Sequence, residues 1–129
     1  MDIDSDDCVV YENAPIKQAL KIIDENRHGF IFTVDASEKV TGIATDGDIR
    51  RALIDGVSLD DEISSCSNAN FLWASIEESR EQLLKKLDSQ IRFIPVLDSA
   101  HKLKYIVSNN FVPLAAEQDV YIRARAPVR

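Results

Sequence analysis

The chain has 129 residues, 45% of them hydrophobic and 29% charged, with a formal net charge of −7. That size and balance fit one globular unit with a real core and exclude a disordered segment, and no apolar run approaches the ~20 residues of a membrane span. The acidic surplus argues against a nucleic-acid-binding surface, which demands a basic face, and residues 1–7 are too acidic for a signal peptide, so a cytoplasmic protein without a nucleic-acid or membrane partner is expected.

In chain order, residues 1–7 are an acidic lead-in. Cys8, Val9, Val10 and Tyr11 form a first apolar run, read as a strand. Asn13 is the expected N-cap of a helix that carries Pro15 in its first turn and Ile16, Ala19, Leu20 and Ile23 on one face, ending before Gly29. Residues 30–34 (FIFTV) read as a buried strand, 35–39 as a polar turn and 40–44 as the second arm of a hairpin. A helix follows with Ile49, Ala52 and Leu53 on its buried face, running out near Gly56. Residues 57–70 are polar and read as a connector with one helical turn over 60–63. The pattern then restarts: strand 71–74 with Trp73 in the core, helix 76–87, strand 93–97, turn 98–102, strand 103–107 and a short helical piece at 111–116. Cys8 and Cys66 read as small buried residues and His28 and His101 as surface or turn positions; they offer no metal-ligand spacing.

The restart is an internal repeat. Cys8 maps to Phe71, Val34-Asp35 to Leu97-Asp98, and Thr45-Asp46 to Ser108-Asn109, all at an offset of 63 residues. Two β-α-β-β-α copies of about 60 residues, each too small for a good core alone, predict an α/β fold in which the copies pack with pseudo-twofold symmetry. The boundaries expected are 8–56 and 71–116 for the two copies, 57–70 for the linker and 117–129 for a tail. Within the first copy, Gly42 and Thr45 end a strand, and Gly47, Asp48, Arg50 and Arg51 start a helix. Free N–H groups at such a junction attract anions. The same Thr-x-x-Asp spacing also writes a capping box that serves only the helix.

The ordered set of β-α-β-β-α repeats, Val34-Asp35, Gly42-Ile43 and Thr45-x-x-Asp48, with Ile94-Pro95-Val96-x-Asp98 in the second copy, resembles a tandem CBS domain pair, or Bateman module, over roughly residues 8–116. The form TDGDIRRAL is especially similar to pairs attached to bacterial sugar-phosphate isomerases, nucleotidyltransferases and related enzymes. The resemblance implies a regulatory adenosine-nucleotide site for a ligand such as ATP, ADP or AMP. In that site Asp48 takes both ribose hydroxyls, Thr45 lies near the phosphate or sugar, Ile43 and Ala44 line the base pocket beside Val9 and Val10, and Arg50 or Arg51 adds a charged contact or stays solvated.

In the second copy Tyr105 stands where Gly42 does and Phe111 where Asp48 does, so at most one nucleoside per chain is expected. No nucleophile–base pair is present, and the chain itself reads as non-catalytic, needing no cofactor. It is expected to form a homodimer and to serve an attached sugar-phosphate enzyme. The tail from Val120, with Arg123-Ala124-Arg125-Ala126-Pro127-Val128-Arg129, resembles the opening strand of GHMP-type sugar kinases similar to heptose-7-phosphate kinases. The alternative is a structural dimerisation module in which Thr45 and Asp48 are only a cap.

Overall fold

The structure is a computed structural model that describes residues 5–87 and 93–108. The chain divides into two units, one spanning Asp6–Phe71 and the other beginning at Leu72. The first unit holds β1 (Val9–Tyr11), α1 (Ile16–Asn26), β2 (Phe30–Val34), β3 (Val40–Thr45) and α2 (Asp46–Ile54). The second holds β4 (Ala74–Ser75), α3 (Arg80–Lys86), β5 (Phe93–Leu97) and β6 (Leu103–Ser108). Each unit has a three-stranded sheet, ordered β1-β2-β3 or β4-β5-β6, whose first pair is parallel and second antiparallel.

The hairpins carry the repeat residue by residue. Phe30↔Thr45, Thr33↔Gly42 and Val34↔Val40 in one recur as Phe93↔Ser108, Val96↔Tyr105 and Leu97↔Leu103 in the other, with a register shift at the same place. Both turns are built on an aspartate. Asp35 Oδ1 accepts the N–H of Ser37 and Lys39 at 2.8 and 3.0 Å, and Asp98 Oδ1 those of Ala100 and Lys102 at 2.9 Å each. Each turn places one residue at positive φ, Glu38 at 68° and His101 at 66°. The first strands keep a different step: Val10 pairs with Thr33 and Ala74 with Val96, an offset of 64 rather than the 63 that matched Cys8 to Phe71. Cys8 and Phe71 themselves lie outside the strands.

In the first unit Val10, Ile31 and Ala44 from one sheet face pack with Ile16, Ala19 and Ile23 of α1, Ile49 of α2, and Ile63. Fully burying such a branched side chain contributes about 1.5–3 kcal/mol. Asn13 does not cap α1. The N-cap is Pro15, without a side-chain bond, and the free N–H groups of Ile16 and Lys17 go to the carbonyls of Asp61 and Leu59 at 2.9 and 3.0 Å. The polar stretch read as a connector therefore completes the first unit: it caps α1, buries Ile63 completely, and forms a short 3-10 turn at Ile63–Ser65 rather than at 60–63.

The second unit departs further from its expected bounds. The strand is only Ala74–Ser75, and Trp73 stands 40% exposed against His101, ring centroids 4.8 Å apart. Helix α3 starts at Arg80 because Ser79 and Gln82 make a capping box, and Leu84 is exposed while Leu83 is buried. Residues 76–79 are instead a turn, in which Ser75 N–H donates to Glu78 Oε2 at 2.8 Å. The helical piece expected at 111–116 and the tail lie outside the described residues.

Candidate nucleotide-binding site

The β3–α2 junction assembles three of the expected residues. Thr45 is the N-cap in extended conformation. Its Oγ1 accepts the N–H of Asp48 at 3.1 Å, and Asp48 Oδ2 accepts the N–H of Thr45 at 3.1 Å, a complete capping box. Arg51 Nη2 donates to Asp48 Oδ1 at 2.7 Å, and its guanidinium lies over Gly47, 3.4 Å from where a Cβ would stand. Arg50 turns aside to Asp46, 2.8 Å away. Both ion pairs are exposed, with the arginine side chains at 64% and 71%, so each adds only about 0.3–0.5 kcal/mol. Asp48 is 32% exposed. Its carboxylate has roughly four acceptor positions, so one protein donor on each oxygen leaves capacity for a diol, and releasing Arg51 costs little.

The apolar candidates separate by strand alternation. Ile43, Phe32 and Val9 are cross-strand partners and share one sheet face. Ala44 and Val10 point to the other face and are buried with the helices in the core, so their side chains pack the fold. Val9 also borders a groove of about 250 Å³ with Asp7, Ile22, Glu25 and Asn26. A second, wider groove runs between Leu20, Ile23, Asp24, Arg27, Gly29 and Asp46. Thr45 and Asp48 line neither of these two.

Residues that spacing alone did not single out also reach the junction. Asn68 exchanges two backbone hydrogen bonds with Ile43, of 3.0 and 2.7 Å. Burial raises the Cys66 thiol above its ordinary value, and so does the negative charge of Asp48. Cys8 is buried as expected, and Cys66 is half-buried against the core cluster. No local spacing links residues 66–68 to residues 43–48, since their approach is tertiary. In the second unit Ser108 occupies the position of Thr45 and Tyr105 that of Gly42 by strand register; Phe111 lies outside the described residues.

Known proteins share part of this sequence and its fold. Residues 1–55 match the family model of the CBS domain. Among solved structures, Staphylococcus aureus OpuCA superposes with a TM-score of 0.69 at 16% identity, over 92% of this chain and 94% of that one. A CBS domain protein of Pyrobaculum aerophilum complexed with AMP gives 0.66 at 17%, over 84% and 87%. The CBS domain pair of protein MJ0100, in complex with 5-methylthioadenosine and S-adenosyl-L-methionine, gives 0.65 at 25%, over 78% and 83%. The first part of the chain is thus similar to the CBS domain, and its α/β fold matches that of CBS domain pairs. A curated but uncharacterized protein of Helicobacter pylori is 36% identical over 55 residues, which are 43% of this chain and only 17% of that protein. Among the described residues no helix is long and apolar enough to cross a membrane.

Proposed function

We propose that the chain is a regulatory module that binds an adenosine nucleotide at the β3–α2 junction. Asp48 takes the ribose hydroxyls, Thr45 and the helix start face the phosphate or sugar, Ile43 and Val9 flank the base, and Arg51 adds a cation. The observation that carries the reading is the Asp48 carboxylate. It is acceptor-only, partly exposed, and held at the N-terminus of a helix on a fold whose solved relatives include one complexed with AMP and one with two adenosine compounds. Ala44 and Val10 support the site through the core, and Arg50 stays paired with Asp46.

The same reading makes the chain a homodimeric, non-catalytic partner of an attached sugar-phosphate enzyme, with a GHMP-type sugar kinase as the candidate. Its support is the TDGDIRRAL run and the likeness of residues 120–129 to a kinase strand. To regulate, the ligand must bind two conformations of the whole protein unequally.

The complete Thr45–Asp48 capping box favours a second reading, a structural module whose Thr-x-x-Asp serves only the helix. Thermal unfolding with ATP, ADP, AMP and S-adenosylmethionine separates the two. A ligand at 100 times its Kd stabilises the folded state by about 2.7 kcal/mol. No shift with any of the four leaves the structural reading standing.

A further inference from the structure

Strand β3 ends its sheet, with β2 on one side only. Residues 63–68 cover the other side at one point. Ile63 anchors this strap in the core with no exposure, and Cys66 packs against the same cluster. Asn68 then pairs with Ile43 as an isolated antiparallel bridge, donating to its carbonyl at 2.7 Å and accepting its N–H at 3.0 Å. The approach depends on Gly42. A Cβ there would stand 3.0 Å from Asn68 O, 3.1 Å from Ser67 Oγ and 3.2 Å from Thr33 Oγ1. Ile43 is thus pinned from both sides two residues before Thr45, where the strand turns into the helix carrying Asp48.

We propose that residues 63–68 are the positioning element of the nucleotide site, a strap latched to Ile43 and seated over Gly42 that holds the β3–α2 junction in its binding geometry. An edge strand with an unpaired flank can shift or fray, and a carboxylate must be held to within about half an ångström to meet a diol with both oxygens. The strap supplies that constraint without touching the ligand through Gly42 or the Asn68 amide. This rests on the reading of Thr45 and Asp48 as nucleotide contacts.

The test titrates the full chain with AMP and ATP by calorimetry, in the wild type, Gly42→Ala and Asn68→Pro. Gly42→Ala drives a methyl into the Asn68 carbonyl, and Asn68→Pro removes the N–H that Ile43 accepts. Both are expected to unfold cooperatively with wild-type secondary structure and to bind at least tenfold more weakly. In the wild type, bound nucleotide is expected to slow amide exchange at Ile43 and Asn68 and alkylation of Cys66 by more than it slows exchange at core amides of β1, which report the global stabilisation alone. Wild-type affinity in either folded variant, or slowing no greater than that at β1, overturns the proposal while leaving the nucleotide site standing. A wild-type chain that binds neither nucleotide removes both.

Discussion

Asp48 has two occupations that a single substitution can separate. As the third residue of α2 it accepts the N–H of Thr45, and as a charged group it pairs with Arg51. Asp48→Asn keeps an oxygen able to accept from Thr45 and discards the charge. If the residue only caps, that variant loses a few tenths of a kcal/mol, in the range of exposed charge–dipole effects of about 0.3–1 kcal/mol. If it holds a ribose, the variant forfeits charge-assisted hydrogen bonds of about 1.5–3 kcal/mol each. The expected result is near-wild-type thermal stability with nucleotide affinity down by more than tenfold, read by calorimetry beside denaturation. Thr45, Asp48 and the arginines were legible in the sequence because everything joining them lies within seven residues of chain. Cys66 and Asn68 were not, because they reach the junction only after α2 and the following turn have folded back on the sheet. The resemblance implies Ala44 at the base pocket, and strand alternation buries its side chain in the core.

The helices show where local chemistry decides a boundary and where it does not. Ser79 and Gln82 start α3 by a capping box that apolar spacing alone overran. At α1 the cap comes from backbone carbonyls more than forty residues away, which no pattern near Asn13 could announce. The hairpin turns, by contrast, are local and were read correctly. Asp98 also titrates in a defined direction. The N–H of Lys102 holds its carboxyl below the ordinary aspartate value; slight burial opposes this, and the N–H of Ala100 and the charges of Lys104 and Lys102 assist. Because the folded value is the lower one, the stabilisation is complete above the unfolded value of about 3.9 and is lost as pH falls through the folded value. Chemical denaturation at pH 5 and pH 3 is expected to show the gap between wild type and Asp98→Asn narrowing with acid. A constant gap would mean that the charge contributes nothing to the turn.

Across the molecule the offset of 63 residues maps one hairpin onto the other, and their registers carry it without exception. The first strands and the helix starts follow an offset of 64, so the second copy is one residue shorter from the start of its helix to its hairpin. A match drawn on apolar character alone cannot see such a step, because Cys8 and Phe71 are equally plausible strand starts. The two copies are unequal where chemistry matters: Gly42 admits the strap, and Tyr105 fills the corresponding place. One nucleotide per chain is therefore expected in calorimetry, with all binding lost in Asp48→Ala; a stoichiometry of two would mean that the second copy has its own site. The paired aspartate turns have a consequence of another kind. Residues 35–39 and 98–102 share length, hydrogen bonding and the place of the positive φ, so they are interchangeable parts. Two hairpins closed by the same clasp can diverge along their strands, one keeping a glycine and the other acquiring a tyrosine, without either losing its alignment.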